Sequence, residues 1–421
     1  MKKLIVLIAS LFAAPAYADS YLSPPDLPPL AAVTTALNNT PTVRAATANM
    51  GVEAANRDRL RAGGYETSVR LNSQQRRTLV PDNRYHEWDV SLERALRLPN
   101  KARIDNQLGE QGVVQAHYIL GDALHESGRM LLASWFNWLR EFYQTQQWHA
   151  QIDGLTTQLG IVQKRVKAGD AAKLDQLQAE AALSQAQAQL AESELRLATA
   201  RNELSRRYPA INIPEHPVMP QPVPVTDGLE VWQQRTMEHN HELAIARGET
   251  QRYGLMLSRS EADRIPDPSV GVRFADERGG EEKVVGVSLT IPLPGGGRKA
   301  SQQMAAANQL VAVEREQGVR TKIQTETANT WLATQSAYTA WQASETASDA
   351  MRRQADLMGR AYQLGESGLS DVLNARRLAQ DAELNAIKSR LAAAQARYRL
   401  LLDTHALWPI DADEEGHDAV K

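Results

Sequence analysis

Apolar and polar residues alternate in two separate parts of the chain. In the first part, one face of 87–98 is apolar apart from Arg94 and carries Trp88, Val90, Leu92, Leu96 and Leu98. A weaker stretch precedes it at Thr67, Val69 and Leu71, and the second part repeats the pattern at Val270, Val272, Phe274, Val285, Val287, Leu289 and Ile291. A period of two predicts strand pairs at about 65–98 and about 269–291, each with one apolar face. The pattern is typical of membrane-barrel strands and also of half-buried soluble hairpins, so both interpretations stay open.

Each strand pair is followed by a long tract without proline, at 100–208 and 295–408. Both tracts are rich in Ala, Gln, Leu, Glu and Arg, and apolar or small residues follow a 3–4 spacing in 183–204 and 379–400. These features predict two coiled-coil helical hairpins, at about 102–208 and about 298–403, whose first helices are each about 100 Å long. Gly169 and Gly365 mark the turns, because glycine readily adopts the positive φ of a helix C-terminus. Asp170 in the first turn and Ser367 or Ser370 in the second are the candidate N-caps.

The two halves are internal repeats at an offset of 196 residues. This offset aligns Gly169 with Gly365, Asp170 with Glu366 and, further on, Asp175 with Asp371. A proline-rich segment at 209–228 reads as an extended crossover between the halves. We therefore expect a first repeat at 19–208, a second at 229–403, and a C-terminal tail at 404–421.

The N-terminus has the features of a secretory signal. Lys2 and Lys3 precede an apolar stretch at 4–14, and Ala16-Tyr17-Ala18 supplies small residues for cleavage before Asp19. The apolar stretch is too short to span a bilayer, so we expect a cleaved signal peptide at 1–18 rather than a buried first helix. The sequence contains no cysteine, so no lipid can be attached to one after cleavage.

Composition and motifs give no reason to expect catalysis or a cofactor. The net charge of −3 gives no reason to expect nucleic acid as a partner, and the absence of cysteine excludes thiolate chemistry. The nine histidines show no metal-binding spacing, so no metal site is predicted. Gly295-Gly296-Gly297-Arg298-Lys299 lacks the spacing of a phosphate-binding loop, and no nucleophile–base pair is evident. The chain is therefore predicted not to be an enzyme.

These features together resemble the TolC-type outer-membrane efflux protein family. The resemblance is carried by the signal, the two repeats, the turn from Leu364-Gly-Glu-Ser-Gly-Leu-Ser to Asp371-Val-Leu-Asn-Ala375, and the Pro292-Leu293-Pro294 step into the second hairpin. It implies an α+β membrane protein that forms a homotrimer, with a 12-strand β-barrel continued by an α-helical tunnel across the periplasm. A periplasmic adaptor and an inner-membrane pump would be its partners. Four strands cannot close a membrane barrel alone, which agrees with a barrel shared among chains.

The resemblance also implies where a gate and a docking surface lie. Acidic residues just after the second turn line the narrow periplasmic end of the family's tunnel, and the matching positions are Asp371, Asn374 and, by the repeat, Asp175. Asn374 departs from the acidic pattern, and Asp371 has the alternative role of stabilising a helix N-terminus. The adaptor contacts implied are the turn residues Gly169, Asp170, Gly365, Glu366 and Ser367.

Two other classes of protein stay open at this point. One is a soluble periplasmic coiled-coil adaptor or scaffold, although such adaptors usually have one hairpin rather than two. The other is a periplasmic enzyme, which the lack of a globular tract outside the helices disfavours. The modest length and the missing lipidation cysteine resemble heavy-metal efflux members, but the cargo cannot be predicted from the sequence.

Overall fold

The structure, a computed structural model, describes residues 24–408, so the predicted signal at 1–18 and most of the predicted tail lie outside the described residues. The first half contains α1 (Leu30–Asn38), α2 (Pro41–Ala62), β1 (Ser68–Leu79), β2 (Asp82–Ala95), α3 (Pro99–Ala168) and α4 (Lys173–Arg207). The second half contains α5 (Leu229–His239), α6 (His241–Ala262), β3 (Ser269–Glu277), β4 (Glu282–Thr290), α7 (Gly296–Gln363) and α8 (Leu369–Asp403). The chain is thus mostly helical, with one small sheet.

The four strands form one antiparallel sheet in the order β1-β2-β3-β4. Val69 of β1 lies opposite Leu92 of β2, and Val272 of β3 lies opposite Val287 of β4. Strands β2 and β3 also pair, with Leu92 opposite Val272. Within residues 24–408, the outer edges of β1 and β4 have no neighbouring strand. The sheet therefore ends in two strands that still offer backbone hydrogen bonds.

The long helices lie beside shorter ones in two hairpins. Helices α3 and α7 contain 70 and 68 residues, which corresponds to lengths of just over 100 Å, and α4 and α8 contain 35 residues each. The bounds of α4 and α8 differ by the predicted offset of 196 residues at both ends. Small side chains spaced by seven residues let α4 approach α3 closely, and all of them are buried: Ala179, Ala186, Ser193 and Ala200.

The sequence analysis did not predict four shorter helices, α1, α2, α5 and α6. Helices α2 and α6 each contain 22 residues, and they correspond at an offset of 200 rather than 196. The offset falls because β3 and β4 contain nine residues each, against 12 and 14 in β1 and β2, and longer connections in the second half make up only part of the difference. Helix α2 buries only Val43 and Ala46, so it has no apolar stripe that a periodicity search could detect. It packs instead against glycines of α3, since a side chain at Gly109 would meet the Cα of Arg57 at 2.9 Å.

The largest apolar cluster lies near the middle of α3, not at the strand end. It combines the aromatic residues Trp135, Phe136 and Trp138 of α3 with Tyr398 of α8 and with Trp232 of α5. The side chains of Trp135 and Trp138 are both buried in this cluster. The N-terminal segment also enters the cluster: the Trp135 indole donates to the carbonyl of Asp26 at 2.8 Å, and the Tyr398 hydroxyl donates to its carboxylate at 2.9 Å.

A group of paired charges, the junction cluster, lies where strands give way to helices. It brings together residues from both halves: Tyr65, Arg97, Lys101, Asp105, Arg259, Asp263 and Asp267. The Lys101 ammonium lies 3.1 Å from Asp263 and 3.0 Å from Asp267, and its side chain is only 1% exposed. Asp105 bridges Arg97 at 3.0 Å and Arg259 at 2.6 Å. The cluster therefore ties the first half to the second at the base of the sheet.

Candidate functional site

The two hairpin turns have the same backbone geometry. Gly169 has a φ of 79° and Gly365 a φ of 81°, in the left-handed region where a side chain is strained. In the first turn, Gly169 N–H donates to Val166 at 3.1 Å and Asp170 N–H to Arg165 at 2.8 Å. Gly365 and Glu366 make the matching bonds in the second turn, at 3.1 and 2.9 Å. These bonds satisfy the last carbonyls of α3 and α7, and they hold both turns in the same shape.

The helices that follow the turns begin at residues other than the predicted caps. The N-cap residues of α4 and α8 are Ala172 and Gly368. Neither N-cap residue has a side chain that accepts a hydrogen bond from the first backbone N–H groups of its helix. The prediction that Asp170, Ser367 or Ser370 caps a helix is therefore wrong. Asp170 instead accepts a hydrogen bond from Arg165 at 3.0 Å, because this arginine reaches back across the turn. The Ser367 hydroxyl donates to the Met358 carbonyl at 3.4 Å.

Asp371, Asn374 and Asp175 lie just beyond the turns, on the first two helical turns of α8 and α4. The Asp371 carboxylate accepts the Gly368 N–H at 3.3 Å and remains exposed. Asn374 lies nearly one turn further on and is also exposed; its side-chain oxygen accepts from Arg377 at 3.1 Å. Asp175 is half-buried in the first turn of α4. Within one chain, Asp371 thus stabilises the start of α8 and still offers its charge to the surroundings.

Contacts missed by the sequence analysis join the two hairpins near their turns. The Arg165 guanidinium lies 4.8 Å from the centre of the Tyr362 ring, and Ser370 donates to Gln178 at 3.1 Å. Beneath them, an apolar cluster unites the hairpins: Val162, Ala179, Tyr362, Leu369 and Val372. Arg165 has no arginine counterpart in the second half, where the same position is Ala361. The repeat alignment therefore could not single out this contact.

The groove between the hairpins is lined by both polar and apolar side chains. Between α4 and α8 lies a pocket of about 640 Å³, whose lining includes Gln185, Gln189, Asn374 and Arg377. Deeper in the hairpin contact, Arg376 donates to the Gly154 carbonyl at 3.0 Å, and burial lowers the pKa of its guanidinium. Over residues 24–408, no group of three histidine or acidic side chains is arranged to hold a metal ion. The hairpin ends thus present hydrogen-bonding and charged side chains of the kind that solvate ions or contact another protein.

The sheet has one apolar and one charged face. The apolar face is exposed and includes Leu71, Leu92, Val272, Val285, Val287 and Leu289. On it, Trp88 packs against Phe274 with ring centres 5.7 Å apart, and beyond this pair the face becomes polar at Asp276 and Lys283. The opposite face holds ion pairs, including Arg273 with Asp89 at 3.0 Å and Arg76 with Glu87 at 3.2 Å. Within the described part of the chain, no helix is sufficiently long and apolar to cross a membrane.

The fold is similar to that of solved outer-membrane channel proteins. The structure of VceC from Vibrio cholerae superposes with a TM-score of 0.72 at 16% identity, covering 90% of this chain and 95% of that one. The open-state MtrE channel of Neisseria gonorrhoeae gives a TM-score of 0.74 at 18% identity, with coverages of 93% and 91%. A membrane protein from Pseudomonas aeruginosa gives 0.78 at 16% identity, with 91% of each chain covered. At these identities, the likeness establishes the fold.

The sequence comparison points the same way. Residues 234–402 match the family model described as outer membrane efflux protein. No curated protein matches the sequence closely enough to count as a relative. The resemblance to the TolC-type family is confirmed by the family model and the solved structures together. That family consists of channel proteins rather than enzymes.

Proposed function

We propose that this protein is the outer-membrane exit duct of a tripartite efflux or secretion system. Three copies would close a 12-strand barrel and continue it as a tunnel of helices across the periplasm. The duct conducts passively what an inner-membrane pump and a periplasmic adaptor deliver to it. The mature chain would start at Asp19, after cleavage of the signal at 1–18, and carry no lipid.

The two faces and the open edges of the sheet are the main support for this proposal. Its exposed apolar face, flanked by the Trp88–Phe274 pair, has the character of a lipid-facing surface with an interfacial aromatic belt. Its opposite face is charged, as expected of a surface that lines water. The open edges of β1 and β4 would be hydrogen-bonded by neighbouring copies, because bare edges are not tolerated in lipid. A soluble adaptor or scaffold, by contrast, would expose this apolar face to water without covering it.

The gate is proposed to lie at Asp371, Asn374 and Asp175, near the hairpin turns. In a trimer, symmetry would turn the exposed Asp371 into a ring of three carboxylates, which attracts cations and repels itself. Asn374 would add a neutral polar ring at the next helical turn, and Asp175 would place a further acidic group on α4. The turns themselves, with Gly169, Asp170, Gly365, Glu366 and Ser367, are proposed to contact the adaptor because they form the exposed ends of the hairpins.

Replacing Asp371 by alanine tests the gate. We expect higher single-channel conductance and weaker cation selectivity in planar bilayers, because the ring of charges and the Gly368 contact are both lost. Asp381→Ala is a matched control, since Asp381 is an exposed carboxylate of the same helix that pairs with Arg377 at 3.3 Å. The gate assignment would be contradicted if the Asp371→Ala protein gave the same currents as the wild type.

Fractionation tests the proposed function itself. The full chain should be recovered from outer-membrane fractions as a detergent-stable trimer whose migration changes on heating, and it should form channels in bilayers. Mass spectrometry of the purified protein should show an N-terminus at Asp19. Recovery of a monomer from the soluble periplasm would instead support the adaptor or scaffold alternative.

A further inference from the structure

A surface cleft lies between the end of α6 and the start of α7, where the helices meet the sheet. Its volume is about 450 Å³, and we call it the basic cleft. Its lining includes three basic side chains, Arg264, Arg298 and Lys299, and one carboxylate, that of Glu261. Gly295, the N-cap of α7, also lines it and provides no side-chain cap, so the positive end of the helix dipole adds to the surplus of positive charge.

The positive charge of the basic cleft is largely uncompensated. Among the described residues, the exposed side chains of Arg264 and Lys299 form no ion pair. Arg298 donates a hydrogen bond to the backbone carbonyl of Asp263, which leaves its charge without a carboxylate partner. The Asp263 carboxylate is already engaged, because it lies 3.1 Å from the ammonium of Lys101. The cleft is therefore prepared for an anion from outside the chain.

Large apolar side chains border the basic cleft. Ile265 belongs to its lining and is 63% exposed. On the other side, the chain leaves β4 after Leu289 on the apolar face and passes through the exposed residues Ile291 and Leu293 before it reaches the cleft. Leu293 is 90% exposed. An apolar surface thus leads from the sheet to the three basic groups.

A further cation marks this end of the apolar face. Arg94, close to the end of β2, lies opposite Val270, and Val270 lies opposite Leu289 of β4. Arg94 is exposed and forms no ion pair within residues 24–408. A long basic side chain at the edge of a lipid-facing surface extends its charge towards the headgroups. The apolar face therefore gives way to basic side chains at the level where the helices begin.

We propose that the basic cleft binds the headgroup of an anionic phospholipid in the periplasmic leaflet of the outer membrane. The guanidinium groups of Arg264 and Arg298 and the ammonium of Lys299 would hold the phosphate, and the acyl chains would lie along the apolar residues between 289 and 293. The assignment to this leaflet rests on the proposed function, because it requires the sheet to span the membrane.

A phospholipid matches this surface better than a soluble phosphate compound does. A soluble anion would contact the basic groups but leave Ile265 and Leu293 exposed to water, whereas a lipid covers the basic and the apolar parts together. A zwitterionic phospholipid carries its own ammonium group, which the surplus positive charge of the cleft would repel. A headgroup with a net negative charge is therefore preferred.

Native mass spectrometry of the delipidated, detergent-solubilised full chain tests the proposal by titration with phosphatidylglycerol and with phosphatidylethanolamine. The wild type should prefer phosphatidylglycerol. The variant Arg264→Gln/Lys299→Gln should bind it about 30-fold more weakly, since each basic residue near an anionic headgroup contributes about five-fold in affinity. Arg353→Gln/Lys388→Gln is the matched control, because both residues are exposed on α7 and α8 and form no ion pair among the described residues. It should bind as the wild type does.

Two further measurements separate a lipid site from a phosphate site. Leu293→Asn should weaken phosphatidylglycerol binding about three-fold, because the acyl chains lose an apolar contact. Glycerol phosphate, the soluble headgroup, should not displace the lipid at equal concentration. Displacement by glycerol phosphate, or equal binding of phosphatidylglycerol by the wild type and the Arg264→Gln/Lys299→Gln variant, would overturn the proposal.

Channel formation in planar bilayers, measured on the same samples, keeps this inference distinct from the proposed function. The Arg264→Gln/Lys299→Gln variant should still form channels, since the basic cleft lies on the outer surface of the chain. A wild type that forms no channels would contradict the proposed function, whereas channels combined with unselective lipid binding would contradict only the lipid site.

Discussion

Replacing Lys101 by methionine is expected to destabilise the protein by about 3–5 kcal/mol. The ammonium of Lys101 lies between the carboxylates of Asp263 and Asp267, and its side chain is almost completely buried. Methionine preserves the apolar stem but removes the charge, so the buried carboxylate of Asp267 loses its ammonium partner, whereas Asp263 is 43% exposed and keeps its ion pair with Arg259. Denaturant unfolding of the solubilised chain measures the loss.

The control for Lys101 is a lysine that makes no buried ion pair. Lys388→Met on α8 changes an exposed side chain, and it should alter the free energy of unfolding by no more than about 0.5 kcal/mol. The double variant Lys101→Met/Asp267→Asn should recover part of the loss, because it removes the buried carboxylate that has lost its ammonium partner. A Lys101→Met protein as stable as the control would show that the junction cluster does not hold the halves together.

Acid should weaken the same cluster. Although burial raises it, the pKa of Asp267 is held below its usual value by the Tyr65 hydroxyl, Lys101 and the N–H of Leu98. A carboxyl with a lowered pKa contributes stability above about pH 4 and loses it as the pH falls further. The Lys101→Met protein should therefore lose less stability below pH 4 than the wild type does.

Introducing arginine at Val287 should prevent assembly in the outer membrane. Val287 lies on the apolar face of β4, is 79% exposed in the single chain and pairs with Val272. In a lipid-facing strand, an arginine near the bilayer midplane costs about 2–4 kcal/mol, and a trimer bears this cost three times. We expect little or no heat-modifiable trimer in the outer-membrane fraction.

The neighbouring Ser288 supplies the matched control. Ser288 belongs to the charged face of the same strand, where arginine would meet water and other polar groups, so Ser288→Arg should assemble. If the chain were a soluble scaffold, Val287→Arg would be an ordinary surface change with an effect within about 0.5 kcal/mol. Normal assembly of the Val287→Arg protein would therefore argue against lipid contact at this face.

Patterns with a strict period predicted most of the fold. Alternation located the four strands, and the 3–4 spacing with its glycine turns located the two hairpins. Helices α2 and α6 were missed because close packing on glycines such as Gly109 replaces the apolar stripe that periodicity detects. The junction cluster was also beyond sequence reasoning, since its members lie up to about 200 residues apart and only the sheet order β2-β3 brings them together.

The turn residues were predicted in position but not in every role. The repeat located Gly169 and Gly365, where positive φ makes glycine necessary. The caps were assigned wrongly because the turns run on to Ala172 and Gly368 before the helices start, so Asp170 and Ser367 hydrogen-bond elsewhere. Contacts between hairpins, such as Arg165 with Tyr362, depend on side-chain packing that no spacing rule encodes.

The half-length of α8 has a mechanical consequence. Helix α8 spans about 52 Å from Leu369 to Asp403, whereas α7 beside it runs on without interruption past the end of α8. Helix α8 can therefore tilt as a rigid body about its C-terminal end at Asp403, and its N-terminal end at the turn then moves furthest. Tilting α8 by about 5° moves its N-terminal end by nearly 5 Å, close to the pitch of one helical turn. Ångström-scale shifts of the turn at Gly365 therefore require only a small change of angle at the other end of α8, while the uninterrupted α3 and α7 keep the overall length constant.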